Sequence, residues 1–171
     1  MLKKVVENET HTISVLVDNE PGVLARVVGL FSGRGYNIES LTVTETEHES
    51  HVSRITMITT GTPQIIEQIK AQLDRLVPVH SVVDLTVTGN GVERELALIK
   101  VAGKGDKRVE ALRLAEAFRA QIVDATTESF VFEITGRTSK IDQFISLMGP
   151  IGLVEVSRTG IAAISRGPQG M

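Results

Sequence analysis

Cysteine and tryptophan are absent from this chain, and tyrosine occurs once. Without a thiol there is no disulfide framework, no thiolate metal site and no cysteine nucleophile, a composition that suits the cytoplasm, where the protein is expected. Five phenylalanines and one tyrosine are too few for a base-stacking platform, and a net charge of −3 gives no basic field for phosphates, so nucleic acid is not an expected partner. No apolar run approaches the roughly 20 residues that cross a bilayer, so no membrane association is expected. The opening MLKKVVENET has lysines but no following apolar segment, and does not read as a secretory signal. Catalytic motifs are missing too: there is no G-x-S-x-G elbow and no H-E-x-x-H. What is present is 171 residues, 42% hydrophobic and 23% charged, enough for one medium folded domain or two small ones.

Periodicity organises the first half. Thr10 to Val17 alternates, with Ile13, Val15 and Val17 on one face, as a half-buried strand does. Val23, Leu24, Val27, Val28 and Phe31 then recur at helical spacing, with Gly33 or Gly35 as the stop. Ile38 to Thr46 and Val52 to Thr60 form a hairpin, Thr62-Pro63 caps a second helix bearing Ile65, Ile66, Ile69, Leu73 and Leu76, and Val79 to Val87 is a closing strand. The order β-α-β-β-α-β is the ferredoxin-like arrangement, two helices over one face of a four-stranded antiparallel sheet.

After the break Thr88-Gly89-Asn90-Gly91 the order repeats. Glu95 to Val101 is a strand, and Asp106 to Arg119 a helix with Asp106 as N-cap and Val109, Leu112, Ala115 and Phe118 inward. Gln121 to Thr126 and Phe130 to Thr135 make a hairpin, Ser139 to Met148 a helix, and Leu153 to Ser157 a strand. The same step separates Thr12 from Glu95 and Val23 from Asp106, so the expected fold class is α+β, two tandem βαββαβ domains spanning 1–88 and 89–171. The tail from Ile161 to Met171 reads as a turn or a frayed end.

Two clusters invite a chemical reading and lack the pattern for it. Glu45, Glu47, His48, Glu49 and His51 sit at a hairpin tip, where a solvated loop is expected and no metal is assigned. Gly103-Lys104-Gly105-Asp106-Lys107 is phosphate-loop-like in composition but lacks the G-x-x-x-x-G-K-[ST] spacing, so it reads as a turn. No catalytic residue and no metal ligand is assigned.

The turn DNEPGVL, Asp18 to Leu24, is different. Pro21 suits a first helical turn, Gly22 lets a ligand approach the backbone, and the amides of the helix start favour a carboxylate. The corner Tyr36-Asn37-Ile38 is expected at the same end of the sheet as Asn19. Amide side chains, a donor-rich helix start and aliphatic neighbours suit a small zwitterion such as an aliphatic amino acid. Turn capping by Asn19 and Asn37 would explain the same residues without a ligand.

DNEPGVLARVVGLFSGRGYNIESL resembles the first strand, loop and helix of an ACT domain, and more narrowly the small regulatory subunits of acetolactate synthase. The resemblance extends through LALIKV, FRAQIVDAT and the terminal ISRGP. It implies a non-catalytic chain that binds no cofactor and partners a large catalytic subunit carrying thiamine diphosphate, Mg²⁺ and FAD. That subunit condenses two pyruvates to 2-acetolactate and CO₂. The resemblance further implies a homodimer through ACT domains, with the effector valine held by Asn19, Pro21, Gly22, Val23 and Leu24 of the loop and by Asn37 and Ile38 of the corner. An amino-acid sensor acting on another enzyme would use the same pocket. Acylphosphatases and RNA-binding modules share the topology, but this sequence has no convincing phosphate cradle with a catalytic arginine, and its strands lack the exposed aromatics that an RNA-binding sheet needs.

Overall fold

The computed structural model describes residues 7–47, 49–89 and 91–171, with the side chain of Glu47 excepted. The expected hairpin tip at His48 and the break at Asn90 therefore fall partly outside the described residues. The elements run β1 (Glu9–Asp18), α1 (Val23–Gly33), β2 (Ser40–Glu47), β3 (Val52–Gly61), α2 (Pro63–Asp74), β4 (Val79–Asp84), β5 (Gly91–Ala102), α3 (Asp106–Phe118), β6 (Gln121–Ala125), β7 (Ser129–Gly136), α4 (Thr138–Gly152), β8 (Leu153–Arg158) and β9 (Ala162–Ser165). They fall into two compact units, residues 1–92 with 162–171, and residues 93–161.

In the first unit the antiparallel strands lie in the order β2-β3-β1-β4. Ile13, Val15 and Val17 of β1 and Ile55 and Met57 of β3 alternate onto one face, where Val23, Val27 and Phe31 of α1 and Ile69 and Leu73 of α2 close the core. Thr62 caps α2 as its sequence announces: its hydroxyl accepts the Ile65 amide at 3.4 Å, and Pro63 takes the first helical position, where no amide is needed. The long bond places this cap at the weak end of the range, so Thr62→Ala is expected to cost about 0.5–1 kcal/mol. Urea unfolding of the first unit checks this as a midpoint shift at constant slope.

β4 ends at Asp84, three residues short of the expected Val87. The Asp84 carboxylate accepts the Thr86 and Val87 amides at 3.1 and 3.3 Å, and this side-chain turn replaces the ladder. The same carboxylate meets the buried His11 ring at 2.7 Å and Lys70 at 3.6 Å, so the strand end is tied down by charge.

In the second unit the strands pair in the order β6-β7-β5-β8. Phe130, Phe132, Phe144 and Phe118 form a chain of ring contacts at centroid distances of 5.3, 6.1 and 5.4 Å. Helix α3 bears out Ala115 and Phe118 as inward residues and corrects the sequence reading at Val109 and Leu112. Ala111 and Ala115 are buried, Leu114 and Phe118 pack beside them, and Val109 and Leu112 are exposed at 57% and 37%. Small residues let the helix sit close to the sheet, and the larger aliphatics on the neighbouring stripe are left outside. Asp106 is the first helical residue rather than the cap, which is Gly105. Helix α4 runs past the expected end at Met148, through Pro150, to Gly152.

The tail corrects it again. Ala162–Ser165 is a strand rather than a turn or frayed end, Ala163 is buried, and the Arg54 guanidinium of β3 donates to the Ala163 carbonyl at 3.3 Å. Arg54 pairs with Leu16 of β1, on the face opposite the Ile13, Val15 and Val17 row, so the tail is tied to the helix-free side of the first sheet.

Candidate effector site

The first half-site is the exit of β1. The Asp18 amide donates to the Pro78 carbonyl at 2.9 Å, the Asn19 amide donates to the His51 carbonyl at 2.7 Å, and the His80 ring meets the Asp18 carboxylate at 2.6 Å. These contacts leave Asn19, Glu20, Pro21 and Gly22 exposed beyond the sheet. The Val23 amide reaches back to the Glu20 carbonyl at 3.3 Å, with Gly22 at φ 87° and ψ −9°. That is a type II turn with proline at its second position and glycine at its third, where a positive φ is required. Pro21 therefore precedes the helix instead of opening it, and Gly22 is the N-cap.

α1 begins without a side-chain cap and without an acidic residue in its first turn. The first-turn amides of a helix have no partner within the helix, and the helix dipole adds partial positive charge there. An anion approaching Gly22 meets donors that no side chain has claimed, and a β-carbon at Gly22 would touch nothing within 4 Å. The side chain of Val23 is buried in the core, so this residue can offer a ligand backbone alone, whereas Leu24 is 41% exposed and can offer hydrocarbon.

The second half-site is the corner between α1 and β2. Gly35, at φ 70°, sits in the left-handed conformation; the Tyr36 amide donates to the Phe31 carbonyl at 3.0 Å and the Gly35 amide to the Ser32 carbonyl at 3.4 Å. This is a Schellman close, completed by the edge-to-face contact of Phe31 and Tyr36 at 6.3 Å. Gly35 rather than Gly33 thus supplies the stop. Beyond it, the Thr59 hydroxyl donates to the Asn37 carbonyl at 2.7 Å, and the Glu39 amide to the Ile58 carbonyl at 2.8 Å. The Asn37 side chain is exposed and Ile38 is half-buried.

These two half-sites do not meet within one copy, contrary to the sequence reading. Asn19 lies against His51, just before β3, while Asn37 lies against Thr59 near its far end. The eight residues from His51 to Thr59 span about 26 Å of strand. The cause is the crossover itself: β1 and β2 run parallel, so α1 carries the chain back to the end of the sheet where β1 began.

Elsewhere the chemistry is structural. The charged groups whose proton affinity moves are held by ion pairs. Lys70 is raised chiefly by its hydrogen bond to Glu67, and Lys100 and Glu155 shift up and down respectively by pairing with each other. None of these belongs to the 18–24 loop or the 36–40 corner. In the 103–107 turn, Lys104 pairs with Glu128 at 2.7 Å. Among the described residues no group of three or more His, Cys, Asp or Glu side chains is placed to hold a metal ion, and no helix is long and apolar enough to cross a membrane.

Comparison with known proteins adds a second line of evidence. A family model described as the small subunit of acetolactate synthase matches residues 94–167, and one described as the AHAS small subunit-like ACT domain matches residues 13–81. A probable acetolactate synthase small subunit of Archaeoglobus fulgidus is 48% identical over 92% of this chain and 97% of its own length. The acetolactate synthase small subunit of Haemophilus influenzae is 47% identical over 91% and 94%. Among solved structures, the crystal structure of the acetolactate synthase small subunit from Thermotoga maritima superposes with a TM-score of 0.85 at 42% identity, covering 94% of this chain and 99% of that one.

Proposed function

This chain belongs to the family of acetolactate synthase small subunits, the non-catalytic regulatory partners of that enzyme, and we propose that it senses valine between two of its own ACT domains. In this reading residues 1–88 are the regulatory domain, and 89–171 serve oligomerisation and contact with the large subunit. The large subunit would carry thiamine diphosphate, Mg²⁺ and FAD and do the chemistry, condensing two pyruvates to 2-acetolactate with loss of CO₂. The small subunit would raise that activity and impose feedback inhibition.

One observation carries the proposal: the donor-rich loop at Gly22 and the amide-bearing corner at Asn37 occupy opposite ends of one sheet. A free amino acid is far shorter than the ~26 Å between them. Two copies related by a two-fold axis, the loop of each beside the corner of the other, would make two equivalent closed sites. The α1 amides would take the carboxylate of valine, the side-chain oxygens of Asn19 and Asn37 its ammonium, and Leu24 and Ile38 its isopropyl group. Burial of that group contributes about 1.5–3 kcal/mol, and with charge-assisted bonds added the dissociation constant falls between roughly micromolar and millimolar. Valine can inhibit only by binding one dimer arrangement better than another, and couplings of this kind are about 1–3 kcal/mol.

The test is reconstitution with the large subunit, following acetolactate formation with and without valine. Loss of the Asn37 amide in Asn37→Ala is expected to weaken valine binding by about 1–3 kcal/mol, read by calorimetry on the small subunit. Wild-type affinity in that variant, or pyruvate condensation by this chain alone, would overturn the proposal.

A further inference from the structure

We propose that Thr59 is a positioning residue for the effector site: its hydroxyl fixes the backbone of the Asn37 corner in the conformation that receives ligand. This rests on the valine reading above and extends it to a residue outside both half-sites. Thr59 is wholly buried on β3, and its Oγ1 donates to the Asn37 carbonyl at 2.7 Å. Among the described residues Asn37 makes no other hydrogen bond.

The neighbours show why one bond matters. On one side the Schellman close fixes Tyr36, whose hydroxyl also donates to Gln68 at 3.2 Å. On the other, the Glu39 amide engages Ile58 and the β2 ladder starts at Ser40. Asn37 and Ile38 lie between two anchored points, outside helix and strand; the Ile38 side chain packs against the core, and among the described residues the Thr59 hydroxyl makes the one hydrogen bond that holds the Asn37 backbone. Freed of that bond, the Asn37 backbone would sample several conformations, and a ligand would have to order it on binding. Thr59 itself cannot drift, because its strand is the central partner of both β1 and β2, and it faces His11, which is held by Asp84.

The measurement is the valine concentration giving half-maximal inhibition of the reconstituted holoenzyme, together with the extent of inhibition at saturating valine. Thr59→Val keeps the branched shape and removes the donor. It should raise the half-inhibitory concentration roughly tenfold while the extent of inhibition at saturation is unchanged, a split that general unfolding would not produce. Thr59→Ser restores the donor and should return the value to within about twofold of wild type. Amide exchange at 37–39 should quicken in Thr59→Val and not in Thr59→Ser. If Thr59→Val responds to valine like wild type while Asn37→Ala does not, the positioning role is overturned and the valine site stands. If neither variant changes the response, the valine site itself falls. A Thr59→Ser variant as insensitive as Thr59→Val assigns the effect to packing and overturns the role of the hydroxyl.

Discussion

Gly22→Asp is expected to abolish valine inhibition, raising the half-inhibitory concentration at least about 100-fold, while the chain still folds and still activates the large subunit. The substituted side chain enters open space, since a β-carbon at Gly22 meets nothing within 4 Å. Its φ of 87° costs about 1–2 kcal/mol for a residue with a β-carbon, and Asp is among the residues that tolerate this region best, so the turn survives. What should not survive is the proposed anion subsite. The new carboxylate sits at the uncapped start of α1, competes for its free amides, and repels the carboxylate of valine in a site from which water is being expelled. Like charges so placed cost several kcal/mol. Gly22→Ala separates the causes: it carries the backbone penalty without the charge and should lose only a few-fold in sensitivity. Equal losses in the two variants would assign the effect to turn strain, and unchanged sensitivity in Gly22→Asp would remove the loop from the site.

Much of this was legible in the sequence, and the failures have physical causes. Alternation placed Ile13, Val15 and Val17 inward because a strand buried on one face must repeat every second residue, and Thr62-Pro63 marked α2 because capping chemistry is local. Local chemistry misled at Pro21, where Pro-Gly fits a helix start and a type II turn equally well until the positive φ of Gly22 decides. At α3 the periodic template placed Ala115 and Phe118 correctly but took Val109 and Leu112 in place of Ala111 and Leu114. The meeting of Asn19 and Asn37 was misjudged for a reason that topology alone supplies. A helix connecting two parallel strands returns the chain to the opposite end of the sheet, and the 11 residues of α1 cover about 16 Å on the way. Thr59 carries no motif; only its position on β3 beside the entry to β2 distinguishes it from the other strand threonines.

The second large effect lies in the other unit, where Arg158→Ala is expected to cost about 3 kcal/mol. Arg158 closes β8 and forks onto Glu95 of β5, Nε to Oε1 and Nη2 to Oε2, both at 2.7 Å; its Nη1 donates to Asp142 of α4 at the same distance. Thr138, which opens α4, adds a 3.4 Å bond to Glu95, so one carboxylate joins two strands and a helix. The hydrogen bonds to Glu95 raise the proton affinity of the guanidinium above its ordinary value, and Arg158 remains charged throughout the accessible pH range. Glu95 is only 5% exposed, and removing its partner strands a charge in the interior, a loss of about 3–5 kcal/mol when both groups are fully enclosed. The Arg158 side chain is 31% exposed, so water partly replaces it and the lower end applies. Arg158→Lys keeps the charge but cannot fork, and should lose about half as much. Adding Glu95→Gln to Arg158→Ala should recover part of the loss, because a buried amide tolerates the missing partner better than a carboxylate does. Urea unfolding resolved for the second unit measures all three variants, and a loss under about 0.5 kcal/mol for Arg158→Ala would show the fork to be a surface contact of little weight.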